Sequence, residues 1–363
     1  MSGAKRIVIC GGGAIGVAIA YFSSRRGAKP IVIERHAVAG AASGKSGGFL
    51  ALDWCRGSPL DQLARRSFQL HGDLATENGN PWNYQPLDTY GGYADESDTV
   101  RGKGQRPWLS AKVTIIDRLG SSQTTAVVEP RAFTMGLMHA AQAHGAELLH
   151  GAVTELVHSP SGGVCGVKLE SGEFVEGEAV VIAMGPWSTL ATRWLPMPAV
   201  FGYKGHSLVF ETGEAVRPEA LFLDYHEANG ETLTPELFAR PDGTTWVCAI
   251  STVGPVPIDP ADVTPDTGAH ARLEAMCRNI APVIAAMPIR ARQACFRPVT
   301  EDGLPLIGQV PGVEGAYVAT GHSVWGMLNA PGTGEAITEL ILDGATRQVN
   351  LAPFAPGRLR IWQ

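Results

Sequence analysis

Ile7-Val8-Ile9-Cys10-Gly11-Gly12-Gly13-Ala14-Ile15-Gly16 is the stretch on which the fold turns. An apolar run of strand length gives way to glycines. Residues 17–26 then read as a helix closed by Gly27, and Ile31-Val32-Ile33-Glu34 as a second strand. Residues 6–34 therefore form one βαβ unit. Gly11 permits the tight turn, Gly13 admits a pyrophosphate to the backbone, and Gly16 allows close helix–strand packing. The helix start at Ala14 and Ile15 offers amides and a positive dipole to phosphates. Glu34 closes the second strand 21 residues after Gly13, where a carboxylate holds both ribose hydroxyls and repels a 2′-phosphate. The unit reads as a dinucleotide site and disfavours NADP, without choosing among the other dinucleotides.

The rest of the composition narrows the setting. A chain of 363 residues suits two joined domains better than one core. Its 44 glycines cluster in short motifs, which favours tight turns and ligand approach over disordered linkers. The net charge is −6 with no basic run, so no nucleic-acid partner is expected. Six cysteines without a CxxC pair give neither a zinc pattern nor a disulfide framework, and the histidines lack ligand spacing, so no metal is expected. No apolar stretch approaches the roughly 20 residues of a membrane span, and no signal-peptide pattern opens the chain. The expectation is a soluble, cytoplasmic protein, a removed organellar targeting peptide being the alternative.

Beyond Glu34, residues 39–48 are small and glycine-rich, and 50–70 carry apolar residues at helical intervals. Residues 78–127 read as irregular, with a weak strand signal at 113–116. Glu129-Pro130-Arg131 starts a helix that Gly145 stops. Three strands follow at 153–158, 164–169 and 174–182. Their short turns, Ser161-Gly162-Gly163 and Ser171-Gly172, predict a meander. Residues 200–250 alternate apolar and polar, predicting an antiparallel sheet backed by a helix at 267–286. A strand at 316–319, a glycine turn and a final helix end the pattern. The expected class is α/β: a Rossmann-like domain with a parallel sheet and a β-meander, plus an inserted α+β domain with an antiparallel sheet. The expected division is 1–60, 128–196 and 296–363 for the first, 61–127 and 197–295 for the second.

Three further segments carry a family resemblance. They are Glu34-Arg35 with Gly40-Ala41-Ala42-Ser43-Gly44-Lys45-Ser46-Gly47-Gly48-Phe49, then Val181-Ile182-Ala183-Met184-Gly185-Pro186-Trp187-Ser188, then Arg297-Pro298-Val299-Thr300-Glu301-Asp302-Gly303 with Gly321-His322, Gly326-Met327 and Gly334. Together they resemble the D-amino-acid oxidase superfamily, which includes glycine oxidase and monomeric sarcosine oxidase. Residues 45–55 and 238–248 look closest to a poorly characterised eukaryotic group of oxidoreductases within it. The resemblance implies FAD as cofactor, a small amine or amino acid as substrate, and hydride transfer from substrate carbon to flavin N5 with release of an imine. The electron acceptor would be oxygen or a dye-like or quinone-like molecule.

It also implies roles residue by residue. Ser43 to Gly48 would approach the ribityl chain and flavin, and Val153 would present backbone groups to adenine. Ala183, Gly185 and Trp187 would flank the cofactor. The turn Gly321, His322, Val324, Trp325, Gly326 and Met327 would lead a helix N-terminus to the flavin pyrimidine. Arg297 would pair with a substrate carboxylate, Arg240 being the next candidate. A second substrate arginine found in some relatives falls at Val324 and is absent, and Trp325 would wall a larger side chain instead. Tyr203, Trp54 and Tyr225 are candidate pocket aromatics, with His206 and His322 as polar candidates. Cys295 lies near the cysteine that bonds flavin in sarcosine-oxidase-like enzymes, so covalent attachment is the alternative to non-covalent FAD. The lysine those enzymes use for oxygen is missing from the strand around Trp246 and Cys248, leaving Lys45 and Lys204 as substitutes. The rival readings are an NAD-dependent dehydrogenase and a non-catalytic flavoprotein with a binding or trafficking role.

Overall fold

The computed structural model describes residues 4–97, 106–160 and 162–361, so Ser161 of the first meander turn lies outside the described residues. The opening strand, Arg6–Cys10, sits inside a six-stranded sheet between Lys29–Glu34 and Ala179–Ile182. Glu147–His150 and Ala316–Thr320 extend the sheet in parallel, and Leu306–Gln309 adds an antiparallel edge. Ile7, Val8 and Ile9 are fully buried because both sheet faces are covered, so the run is apolar throughout and does not alternate.

On one face pack the helices Ala14–Arg25, Asp61–Glu77, Pro130–Ala143 and Gly326–Asp343, with Val17, Leu63, Phe133 and Ile337 in one core. On the other lies the meander Val153–His158, Val164–Leu169 and Phe174–Glu176, whose Leu156, Val167 and Val175 meet Val8 and Ile31. The expected third meander strand divides at Gly177. Its first part stays in the meander, and Ala179–Ile182 joins the large sheet beside Arg6–Cys10.

The second, eight-stranded sheet is mostly antiparallel and is built on Phe201–Glu211, Thr244–Val253 and Ile289–Val299. The helix Ala269–Ile280 covers one face, where Leu273 and Met276 meet Leu208 and Val247. The other face carries Phe238, Trp246 and Cys248 toward the dinucleotide unit. Two expectations are corrected here. Residues 50–70 are not one helix: a strand, Phe49–Ala51, and a run of turns precede the helix at Asp61. The region read as irregular contains Thr89–Asp95, which pairs in parallel with Ala220–His226, while the strand signal at 113–116 lies within Val113–Gly120. Glycines and polar residues in Thr89–Asp95 hid a strand whose parallel partner is distant in sequence.

Candidate active site

A cavity of about 620 Å³ runs from the glycine turn after the first strand to the face of the eight-stranded sheet. At its first end Gly11 adopts φ +113°, and a Cβ there would lie 2.4 Å from the Ala183 carbonyl. Gly16 is equally constrained, because its Cβ would lie 2.0 Å from the Gly11 carbonyl. Gly13 differs: φ is −80°, and a Cβ would approach only Ser43 Oγ, at 3.1 Å. Gly11 and Gly16 thus serve the fold, whereas Gly13 keeps space open on the cavity side. Ser43 Oγ accepts from the Ala14 amide at 2.9 Å, joining the residue 42–45 turn to the start of the first helix. Glu34 Oε2 accepts from the Gly12 amide at 2.7 Å, which fixes the carboxylate at the cavity wall.

The next stretch, Gly47-Gly48, is forced by packing. A Cβ on Gly47 would lie 2.4 Å from the Phe238 ring, and Gly48, at φ +81°, has the Val128 carbonyl 2.0 Å from its Cβ position. Phe238 stacks between Phe49 and Trp246, with ring centroids 5.1 and 5.3 Å away. Phe49 also meets Trp54 and Phe222, so five aromatic rings wall this end of the cavity. Trp246 Nε1 donates to the Lys45 carbonyl at 3.0 Å.

Gly11, Gly13, Ala14, Ile15, Glu34 and Arg35 line the cavity, as do Ala42, Ser43, Lys45, Ser46, Gly47 and Gly48. So do Val153, Ala183, Gly185 and Trp187, then Cys295, Arg297, His322, Val324, Trp325, Gly326 and Met327, with Trp54 and His206. Six candidates lie outside the lining, Lys204 among them. Gly16 is behind the helix start, and Gly321, at φ +79°, packs on Thr300. Tyr203 stands on the outer part of its strand and is 37% exposed. Arg240 is buried and donates to the carbonyls of Ser46 and Gly47, at 2.8 Å each, so its guanidinium holds the glycine loop. Tyr225 is also elsewhere, buried and bonded to Asn279 at 2.9 Å.

The polar groups in the cavity differ in kind. His206 is buried, its Nδ1 3.3 Å from the Ile250 carbonyl and its Nε2 3.0 Å from the Asp266 amide. Burial holds its pKa below the ordinary value, and the amide donating to Nε2 requires a neutral ring with hydrogen on Nδ1. His322 Nε2 lies 3.0 Å from Thr333 Oγ1, Nδ1 has no partner among the described residues, and burial lowers its pKa to about 3. The Cys295 thiol is pushed up by burial, with Arg297 and Lys45 opposing that shift. Lys45 Nζ donates to the Ala294 carbonyl at 3.1 Å, whereas Lys204 is ion-paired with Asp266 at 2.6 Å and is outside the lining.

Glu236, Phe222, Phe238, Trp246 and Cys248 line the cavity without having been singled out as site residues in the sequence. A signal existed: Glu236, Phe238 and Arg240 alternate with buried Leu237 and Ala239, which places all three on one face of a strand.

The lining fits FAD. The open side of Gly13, the carboxylate of Glu34 and the helix start at Ala14 suit the ADP half. The unpartnered buried atoms Ser46 Oγ and His322 Nδ1 lie farther along, where a ligand would complete their hydrogen bonds. Comparison with known proteins agrees. Residues 6–340 match the DAO family, described as FAD dependent oxidoreductase. A Schizosaccharomyces pombe protein named as a presumed oxidoreductase is 29% identical over 98% of this chain and 99% of its own. Glycine oxidase of Pseudomonas putida is 28% identical over 98% and 99%. The crystal structure of glycine oxidase from Bacillus cereus superposes with a TM-score of 0.80 at 21% identity, covering 94% of this chain and 98% of that one. Iminodiacetate oxidase from Chelativorans sp. gives 0.80 at 19% identity over 97% and 99%. Dinucleotide unit, cavity and whole-chain similarity converge on one assignment, which displaces the NAD reading: this chain belongs to the DAO family of FAD-dependent oxidoreductases.

Proposed function

We propose that the chain oxidises a small amine or amino acid to its imine. The observation that carries this reading is Arg297, half-buried in the cavity, with Ser251 Oγ at 3.3 Å as its side-chain hydrogen-bond partner and no ion pair within 4.0 Å among the described residues. A guanidinium held this way suits a ligand carboxylate, which its planar fork grips through two parallel hydrogen bonds. The five aromatic rings exclude water and accept an apolar side chain, and Trp325 and Val324 border the same space. Bound FAD supplies the two-electron acceptor. The protein orients the substrate C–H bond through Arg297 and the aromatic wall. Glu34, Gly13 and Val153 would hold the ADP half, and the turn at His322–Met327 would face the flavin end.

We take the flavin as non-covalent, since burial disfavours the Cys295 thiolate that attachment requires. We group the six-stranded sheet with the cofactor-binding part and the eight-stranded sheet with the substrate part. The helix Asp61–Glu77, whose Leu63 and Ala64 share a core with the first helix, is best grouped with the cofactor-binding part.

Anaerobic mixing of the holoenzyme with individual amino acids and N-alkyl amines tests the reading. Bleaching of the flavin by at least one is the expected result. Loss of bleaching in Arg297→Ala, with flavin content retained, would support the anchor. Tight ligand binding without bleaching across the series would favour the non-catalytic flavoprotein.

A further inference from the structure

Glu236 brings a carboxylate into the aromatic end of the cavity that Arg297 also lines. Strand register sets Glu236 opposite Phe222 on one side and Cys248 on the other. Its hydrogen-bonding partner is the Cys248 thiol, 3.7 Å from Oε2. Neither Glu236 nor Arg297 forms an ion pair within 4.0 Å among the described residues, so two opposite charges share one cavity without neutralising each other in contact.

We propose that Glu236 is the amine-side anchor of the substrate, so that the cavity selects a molecule with an ammonium beside its carboxylate, a free or N-alkylated α-amino acid. The inference rests on the reading of Arg297 as the carboxylate anchor. A buried charge without a partner is costly. A zwitterion of reversed polarity satisfies both groups at once, whereas a simple amine or a simple acid leaves one of them stranded. The charged and titratable groups facing Glu236 are Arg297 and Cys248. Cys295, which interacts with both of these and with Lys45, completes the set. Burial pushes the Glu236 carboxyl above the usual carboxylate range, disfavouring its charged form, and Arg297 opposes that shift without cancelling it. An arriving ammonium supplies the missing cation.

The test uses the holoenzyme and the change in flavin absorbance on binding. The probes are matched pairs that differ only in the amine: glycine and acetate, both enantiomers of leucine and 4-methylpentanoate, both enantiomers of phenylalanine and 3-phenylpropanoate. At least one amino acid should bind tenfold or more tightly than its deaminated partner. Glu236→Gln, which keeps the volume and a polar contact to Cys248, should abolish that preference and leave the acid bound as well or better. In wild type the preference should shrink as pH falls and Glu236 is protonated, and in the variant it should be flat. If Glu236→Gln loses its flavin, Glu236→Asp should show a reduced preference. A preference that survives Glu236→Gln, or no preference in any pair, overturns the proposal. Bleaching is read separately. Glu236-dependent binding without bleaching overturns the oxidation reading and leaves the anchor standing, and bleaching insensitive to Glu236→Gln does the reverse.

Discussion

His71 Nε2 lies 3.0 Å from the carbonyl of Met327, the helix carbonyl that Pro331 cannot serve. Proline lacks the N–H that would bond four residues back. The helix Asp61–Glu77 repairs the gap: His71 donates to Met327 and lies 3.2 Å from the Leu328 carbonyl, while Ser67 Oγ accepts from the Gly332 amide at 3.1 Å. The first turn of the helix facing the cavity is thus held from outside.

Acid should weaken this arrangement. Burial lowers the pKa of His71 from the ordinary 6.5 to about 4. Between those values the unfolded chain binds a proton that the folded chain refuses, so stability is complete above pH 6.5 and falls as pH drops toward 4, by up to about 3 kcal/mol. Urea denaturation at pH 7 and pH 5 should show the loss, and His71→Gln should flatten it. Equal slopes for both proteins would show that another group governs the acid limb.

Gly13→Val and Gly16→Val should fail differently. The Gly13 backbone accepts valine and the new side chain projects into the cofactor space, so the protein should fold and purify colourless. At Gly16 a Cβ meets the Gly11 carbonyl at 2.0 Å, and the variant should lose more than about 3 kcal/mol of stability. Circular dichroism and flavin absorbance separate the two. A yellow Gly13→Val would place the pyrophosphate elsewhere.

Arg240→Ala should behave as a loop defect. It strips the buried carbonyls of Ser46 and Gly47 of their donors, which costs on the order of 2–3 kcal/mol. Both melting temperature and flavin retention should fall. A higher KM at unchanged stability would instead mark Arg240 as a substrate anchor.

Arg297→Ala should weaken a carboxylate ligand such as 3-phenylpropanoate by roughly 2–5 kcal/mol while flavin content stays constant. Titration of the flavin spectrum measures the change. Unaltered affinity would move the carboxylate site away from Arg297.

Reduced enzyme should pass electrons to an artificial dye faster than to oxygen. The strand Thr244–Val253 carries no lysine, and Lys204 is engaged by Asp266. Lys45 is the lysine in the cavity lining and is tied to the Ala294 carbonyl. A nearby cation assists the first negative charge placed on oxygen. Reoxidation by air as fast as by dye, lost in Lys45→Gln, would assign that role to Lys45 and reverse the expectation.

The cofactor side was legible because it is local. Gly11, Gly13, Gly16 and Glu34 lie within one βαβ unit, where strand and helix periodicity set their geometry directly. The resemblance extended that reading to segments around residues 40–49, 183–187 and 322–327, which line one cavity. The long apolar run around Ile7 announced a buried parallel strand for the same reason.

The substrate side was decided by tertiary structure. Glu236 and Arg297 are far apart in the chain and line one cavity only because the strands Glu236–Ala239 and Ile289–Val299 belong to one sheet that turns the same face to it. Arg240 follows the same alternation as Glu236 yet ends against the Ser46 and Gly47 carbonyls. Alternation along a strand states which residues share a face. Which of them meets ligand, and which meets another loop, depends on packing between segments that local sequence does not encode.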